Sequence, residues 1–163
     1  MMEEGIIVLL IGAMLILIPI VYLVRSYFKH EDKLKEMGME ERYILNYEGG
    51  LYNRLPEATM LEVYSDYIKL TFGKYNDYFH CLNITKVNML SDSQMESYIS
   101  AGRVAMFGVL SLAMKKQKEI DKYYIVLELD NEQSIVLSTQ YRNRCEKIHN
   151  LIYEKVQKCK MLN

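Results

Sequence analysis

His80 and Cys81 are the one pair of adjacent side chains in this sequence that could act as general base and nucleophile. That chemistry requires the imidazole and the thiol to face each other. The surrounding pattern predicts a β-strand, and neighbouring side chains on a strand point to opposite faces of the sheet. We therefore expect no cysteine-based catalysis at this position.

Other catalytic and ligand-binding patterns are absent from the sequence. The three histidines and three cysteines lack the short paired spacings of zinc ligands. The sequence contains no glycine-rich phosphate loop, no Gly-x-Ser-x-Gly and no paired carboxylates suited to acid–base work. Asp92 and Glu96 are expected to face solvent or to cap a helix. We predict a protein that is not an enzyme, with no catalytic, metal-binding or cofactor-binding residues and no cofactor.

The residues from Gly5 to Val24 form an uncharged stretch of twenty, of which fourteen are Ile, Leu or Val. As a helix with a rise of ~1.5 Å per residue, the stretch is ~30 Å long, which matches the hydrocarbon core of a bilayer. Its side chains favour insertion by about 4 to 8 kcal/mol, and a proline near the end of a membrane helix is tolerated. The sequence predicts a membrane-spanning helix that contains Gly5, Leu10, Leu15, Pro19 and Val24.

Two other interpretations of this stretch fit the sequence less well. A cleaved signal peptide carries positive charge before a shorter apolar core and a small-residue cleavage site after it. This chain instead begins Met1-Met2-Glu3-Glu4 and has no Ala-x-Ala pattern behind the apolar stretch. A buried helix of a soluble domain rarely has apolar side chains on every face over twenty residues. We therefore expect a permanent single-pass anchor.

Charged residues on either side of the stretch predict its orientation. No Lys or Arg precedes it, whereas Arg25, Lys29, Lys33 and Lys35 follow within eleven residues. Basic clusters of this kind are retained on the cytoplasmic side of a membrane. An odd number of cysteines without framework spacing also favours a reducing compartment. We expect a cell-membrane protein with its N-terminus outside and its C-terminal domain in the cytoplasm.

Composition narrows the class of protein further. The formal net charge is −1, whereas a nucleic-acid-binding protein usually has a basic excess, so we expect no nucleic-acid partner. About 135 residues follow the anchor, enough for one domain with its own core. We divide the chain into an anchor (residues 1–27), a charged juxtamembrane linker or helical extension (28–46) and a cytoplasmic domain (47–163).

Alternating apolar and polar side chains predict a run of β-strands. The alternation extends from Leu61 to Phe72 and is interrupted at Ser65-Asp66, which indicates a hairpin of two half-buried strands. A turn at residues 73–77 and a bulge or corner at Asn83 separate the next strands. The later strands are predicted at Tyr78 to Leu82, Ile84 to Leu90, Tyr123 to Leu129 and Ser134 to Leu137.

The last segment has the period of an amphipathic helix, beginning near Gln140 with Ser138 or Thr139 as its N-cap. We predict an α+β domain in which a curved antiparallel sheet or partial barrel is covered at one open end by this helix. The predicted apolar stripe consists of Tyr141, Cys145, Ile148, Ile152, Val156 and Cys159.

An apolar insertion, residues 94–117, interrupts the strand pattern. Residues 104–114 are apolar or small throughout, too few to cross a bilayer as a helix, so the segment is expected to be buried against protein or dipped into an interface. We consider three alternatives: a helix lying on the sheet, a segment that docks on the same membrane, and a groove for a protein partner. The candidate membrane or partner contacts are Arg103, Val104, Phe107, Leu110, Met114, Lys115 and Lys116.

The order of these elements resembles bacterial pleckstrin-homology-like (PH-like) domains. The resemblance extends from about Leu45 to Val156 and includes Tyr47-Glu48-Gly49-Gly50-Leu51, the strand with Ile84-Thr85-Lys86-Val87, and Ser100-Ala101-Gly102-Arg103 at the start of the insertion. Insertions in that family are richer in glycine and form a tight hairpin, whereas a single helix is expected here. The resemblance implies a seven-stranded bent sheet capped by a helix, which serves as an adaptor for protein, peptide or lipid.

Three functions fit these predictions. The first is a membrane-anchored, non-catalytic binding or scaffold module that presents its domain to a protein partner or to another copy of itself at the cytoplasmic face of the bilayer. The second is contact with anionic lipid. The third is a small immunity or defence-type membrane protein, which fits the size and the anchor. The basic residues expected to meet lipid headgroups are Arg103, Lys115, Lys116, Lys118 and Lys122.

Overall fold

The computed structural model describes residues 2–51, 54–100 and 121–162, without the side chains of residues 2–13, 30 and 100. The chain divides into two compact units, Met1–Met39 and Glu40–Asn163. The elements are α1 (Met2–Glu36), β1 (Met39–Gly49), β2 (Glu57–Tyr64), β3 (Tyr67–Phe72), β4 (Tyr75–His80), a one-turn 3-10 helix (Cys81–Asn83), β5 (Ile84–Ser91), α2 (Asp92–Ser100), β6 (Tyr123–Leu129), β7 (Ser134–Thr139) and α3 (Arg142–Met161).

Helix α1 contains the predicted apolar stretch and ends in the charged segment behind it. The amides of Met37 and Gly38 donate to the carbonyls of Lys33 and Lys35, and Gly38 has a left-handed backbone with φ of +87°. A left-handed residue closes a helix at little cost only when it is glycine. The predicted helical extension of the anchor is therefore present as far as Glu36, and β1 begins within the segment predicted as linker.

Side chains are described from Met14 onward in α1, and among the residues so described no helix is long and apolar enough to cross a bilayer. Residues 5–13 of the predicted span lie outside that part of the chain. The membrane-spanning segment therefore stays a prediction.

The second unit contains a seven-stranded sheet with the strand order β4-β3-β2-β1-β7-β6-β5. Its neighbouring strands are antiparallel, as the registers of Val63 with Ile68 and of Leu127 with Ile135 illustrate. The α+β class, the antiparallel sheet and the closing helix predicted from the sequence are confirmed. The predicted hairpin also forms, with Ser65 and Asp66 between β2 and β3.

The sheet curves so strongly that its two edge strands approach each other. β4 and β5 lie at opposite ends of the strand order, yet only three residues join them. Three residues span roughly 13 Å at most, so the edges must converge at this corner. The corner is fixed by hydrogen bonds from the amide of Cys81 to the carbonyl of Asp66 and from the amide of Asp130 to the carbonyl of Asn83. Of the two alternatives predicted for Asn83, a bulge or a corner, the structure has the corner.

Helix α3 covers the inner face of the sheet. Five of the six residues in the predicted stripe are buried there, from Cys145 to Cys159. The prediction for Tyr141 was wrong, because this residue precedes the first turn and its side chain is 65% exposed. The predicted N-cap was wrong as well: Tyr141 occupies the cap position, and the Thr139 hydroxyl accepts a hydrogen bond from its amide.

Helix α2 covers part of the outer face and forms a second, smaller core. Met95 is fully buried in it, together with Tyr124, Val126 and Val136 from β6 and β7. The helix begins with half of a capping box, since the Gln94 side chain accepts a hydrogen bond from the amide of Ser91. Both faces of β6 and β7 are thus buried, and these strands accordingly lack a solvent-facing polar row.

Candidate docking surface

His80 and Cys81, the two residues considered for nucleophilic chemistry, lie in different environments. Cys81 is fully buried, and this burial, followed by the neighbouring Cys159, raises the pKa of its thiol to about 12. His80 is exposed, and its Nδ1 accepts a hydrogen bond from the amide of Leu82, so its ring caps the 3-10 turn. The thiol is therefore protonated at neutral pH, and the imidazole is engaged with the backbone.

The predicted insertion begins as a helix that is attached to the sheet. Asp92 accepts hydrogen bonds from the amide of Lys122 and from the hydroxyl of Tyr124, both at 2.8 Å, and the Tyr98 hydroxyl donates to Glu128. Both ends of the stretch that connects α2 to β6 are therefore held on the outer face. The candidate contacts Arg103, Val104, Phe107, Leu110, Met114, Lys115 and Lys116 lie outside the described residues.

Lys122 is the one described member of the basic set that was predicted to meet lipid headgroups. Its ammonium group is 3.2 Å from a carboxylate oxygen of Glu48, and the hydroxyl of Ser138 donates to the same oxygen. The side chain of Lys122 is only 22% exposed. The structure therefore places this lysine in an internal ion pair.

The two edge strands differ in how much of their length is covered. Along β5, Ile84 and Val87 are buried, α3 packs against the strand, and the Lys160 ammonium donates to the carbonyl of Thr85. β4 has no buried residue, and within the described part of the chain it pairs only with β3. An edge strand with unpaired backbone groups is a template for another strand. β4 is therefore the more accessible edge.

The two faces of β4 carry different chemistry. Tyr75, Asp77 and Phe79 lie opposite buried residues of β3 and so share the inner face of the sheet. Tyr75 and Tyr78 are 55% and 61% exposed, on the inner and outer faces respectively. A strand that added to this edge would meet an aromatic side chain on each face.

The loop between β1 and β2 reaches the inner side of β4. Arg54 donates from Nε and Nη2 to the two carboxylate oxygens of Asp77, each at 3.0 Å, and this contact raises the pKa of the guanidinium. The guanidinium lies 5.1 Å from the ring centre of Phe72 and 5.2 Å from that of Tyr75. A guanidinium that lies over aromatic rings and donates two hydrogen bonds to one carboxylate has a fixed orientation.

A cleft of about 670 Å³ lies beside this pair. Five consecutive residues of β4 line it, and Arg54 and Asp77 are each between one fifth and one third exposed. The size is that of a pocket for a few side chains. Its lining residues are Leu51, Arg54, Tyr75, Asn76, Asp77, Tyr78, Phe79 and Gln133.

The outer face of the strands next to β4 contains a buried charge cluster. Glu62 is 2% exposed and binds Arg42 at 2.8 Å and Lys69 at 2.7 Å. Burial by itself raises the pKa of Glu62, but the bonds to Lys69 and Arg42 outweigh it and hold the pKa below its ordinary value. Next to this cluster the rings of Tyr64 and Tyr67 stack at 4.3 Å. The cluster and the stacked rings hold the outer-face side chains of β2 and β3 in place, beside the edge strand β4.

The sequence did not identify Arg54 or Asp77 as site residues. The two are 23 positions apart, and residues 73–77 were predicted as a turn, whereas the turn contains only Gly73 and Lys74 and the strand begins at Tyr75. The alternation of Tyr75, Asp77 and Phe79 is the signal that could have extended the strand. No protein-family model matches this sequence, and no curated protein is significantly similar to it.

Proposed function

We propose that this protein is a membrane-anchored, non-catalytic binding module whose β4 edge pairs with an extended segment of a protein partner. The observation that carries the proposal is the accessible edge strand, with Tyr75 and Tyr78 exposed on its two faces beside the Arg54–Asp77 cleft. Extended peptides add to sheet edges through main-chain hydrogen bonds, and pockets for alternate side chains supply the specificity.

The carboxylate of Asp77, on the inner face of β4, favours selective pairing over unspecific pairing at this edge. Charged side chains that point inward on an edge strand oppose unspecific strand addition, and Asp77 has this position. Its charge is balanced by Arg54, whose Nη1 makes no hydrogen bond to Asp77 and has two N–H donors of its own. Because Arg54 lines the cleft, we expect its guanidinium to donate there to an oxygen acceptor of a partner side chain. Specificity would then come from the cleft, and affinity from the backbone of β4 and the two tyrosines.

The anchor belongs to the same proposal. From Met14 to Val24 every side chain of α1 is exposed, and the apolar ones are between 48% and 74% exposed. A helix with apolar side chains on its whole circumference has to bury them in lipid or in protein. The basic residues that follow favour a cytoplasmic location for the second unit. A seven-stranded sheet with a closing helix is what the resemblance to PH-like domains implies, although fold alone does not imply function.

Site-directed photocrosslinking in cells that express the full-length chain tests the docking site. A photoreactive phenylalanine at Tyr78 is expected to give a discrete adduct with one protein, and the same adduct is expected from Tyr75. The matched control is Tyr153, which is 47% exposed on α3 and is expected to give no such adduct. An adduct only to lipid, adducts only between copies of this chain, or equal labelling from Tyr153 would contradict the proposal.

Membrane extraction tests the anchor separately. The full-length chain is expected to stay in the membrane pellet at alkaline pH, whereas a chain with Leu15→Lys and Leu17→Lys is expected to move to the supernatant. The matched control replaces the exposed residues Leu55 and Ile44, which lie in the second unit, with lysine. Release of the unmodified chain into the supernatant would contradict the anchor. The docking site would still be tested separately by photocrosslinking.

A further inference from the structure

Two cysteines far apart in the sequence meet at the same turn of the fold. The amide of Cys81 donates to the carbonyl of Asp66 at 2.8 Å, and the thiol of Cys159 donates to the carbonyl of Ser65 at 3.8 Å. Ser65 and Asp66 are consecutive residues between β2 and β3. The 3-10 helix that holds Cys81 packs against α3, and Cys159 lies in the last turn of that helix.

The surroundings of the Cys81 thiol include the Cys159 thiol. Both belong to the main core, where Cys81 is fully buried and Cys159 is 8% exposed. After burial, the charge and hydrogen bonding of Cys159 are the next causes that raise the pKa of Cys81. Cys145 is an internal control, because it is buried on the same helix. Burial and the charge of Glu146 raise the pKa of its thiol to about 12.

We propose that Cys81 and Cys159 form a thiol pair that low-molecular-weight disulfides can oxidise to an intramolecular disulfide, fastening the end of α3 to the corner between β4 and β5. Cytoplasmic disulfides of mesophilic proteins are usually transient or redox-sensing, so the reduced pair is the resting state in the compartment predicted for this domain. The proposal concerns a modification site and does not depend on the β4 docking site.

The chemistry proceeds in two exchange steps. The thiolate of Cys159 attacks a sulfur of the small disulfide, forming a mixed disulfide and releasing one small thiolate. The thiolate of Cys81 then attacks the Cys159 sulfur, which forms the protein disulfide and releases the second small thiolate. Both protein thiols lose a proton to solvent or to the leaving thiolates. The protein pair is oxidised by two electrons, and the small disulfide is reduced by two.

The position of Cys159 in the fold explains why the reaction starts there. Cys159 is two residues before Met161, the last residue of α3, and terminal turns open at low free-energy cost. Cys81 is enclosed until that turn moves. Because the raised pKa of Cys81 limits its thiolate, the second step is expected to be the slower one and to become faster as the pH rises.

Incubation of the full-length chain in detergent micelles with oxidised glutathione tests the proposal. The expected product is 2 Da lighter than the reduced chain, contains one alkylatable thiol instead of three, and gives a tryptic link between residues 75–86 and 159–160. Cys145→Ser is expected to retain the loss of 2 Da, and Cys159→Ser is expected to abolish it. The oxidised chain is expected to unfold at a higher temperature than the reduced one, because the cross-link restricts the unfolded state.

Three results would overturn the proposal. The first is that the folded wild-type chain still has three alkylatable thiols after incubation with oxidised glutathione. The second is a linked peptide that contains Cys145, and the third is an intramolecular disulfide that persists in Cys159→Ser. Circular dichroism of each variant before oxidation establishes that it is folded. Because Cys159 lies at the end of a helix and is slightly exposed, its replacement is expected to leave the fold intact, unlike replacement of the fully buried Cys81.

Discussion

Arg54 and Asp77 pair through two parallel hydrogen bonds across the inner side of the edge strand, although they are 23 residues apart in the sequence. The pair places a carboxylate where a further strand would have to be accommodated, and it holds a cation in the same cleft. In the function proposed above, specific docking and resistance to unspecific strand pairing therefore depend on the same two side chains.

Replacement of Asp77 by asparagine is expected to increase self-association of the chain through β4. The inward charge that opposes strand addition is lost, while stability changes by no more than about 1 kcal/mol because the ion pair is partly solvated. Sedimentation velocity of the chain in micelles measures the effect. Asp130→Asn, with the same change in net charge, is the control, and equal association of both variants would contradict the role of Asp77.

Replacement of Glu62 by glutamine is expected to destabilise the second unit by about 1 to 3 kcal/mol at neutral pH, because Arg42 and Lys69 lose their buried partner. The pKa of Glu62 is lowered in the folded protein, so its contribution is present above the ordinary value of about 4.5 and is lost as the pH falls through the folded value. Urea unfolding at several pH values is the measurement. A difference from wild type that persists undiminished at low pH would exclude this assignment.

Truncation of Met95 to alanine is expected to release α2 while the main core stays folded. Met95 is fully buried but belongs to the smaller core on the outer face, and truncation of such a residue costs about 2 to 5 kcal/mol. Hydrogen exchange is expected to accelerate in α2 and little in β2 and β3. Ile152→Ala, in the main core, is expected to accelerate exchange throughout the sheet, and identical patterns for the two variants would argue against two separate cores.

Removal of the Tyr124 hydroxyl is expected to weaken the attachment of α2. Tyr124→Phe keeps the buried ring but deprives Asp92 of a 2.8 Å hydrogen bond, at a cost of about 1 to 2 kcal/mol. Urea unfolding monitors stability, and Tyr153→Phe on the exposed face of α3 is the control. A loss of stability in the control as large as that in Tyr124→Phe would count against a specific role for the Asp92 bond.

Glycosylation mapping reports the orientation of the anchor. Asn83-Ile84-Thr85 matches the acceptor pattern for N-glycosylation, and Asn83 is exposed at the corner of the sheet. The full-length chain translated with microsomes is expected to remain unmodified, because the proposed orientation keeps its second unit on the cytoplasmic side. A chain whose residues 1–39 are replaced by a cleavable signal peptide is expected to gain a glycan that Thr85→Ala abolishes. A glycan on the full-length chain would reverse the proposed orientation.

Local sequence patterns predicted most of the elements of the second unit. The alternation on either side of Ser65-Asp66 and the helical spacing from Cys145 to Cys159 each record which side chains must leave water, and the structure buries those residues. The first strand was missed because β1 carries several charged residues near its start. Those charges form ion pairs with α3, as in the contacts of Glu40 with Lys155 and of Glu41 with Lys147.

The sequence by itself determined the class of the fold, the closing helix and the stretch of α1 whose apolar side chains need burial, since periodicity and hydropathy are local properties of the chain. Only the tertiary structure decided the strand order, the accessible edge at β4, the pairing of Arg54 with Asp77 and the meeting of Cys81 with Cys159. These features depend on the path by which the sheet curves back on itself. That path is set by packing between residues that no short window of sequence contains.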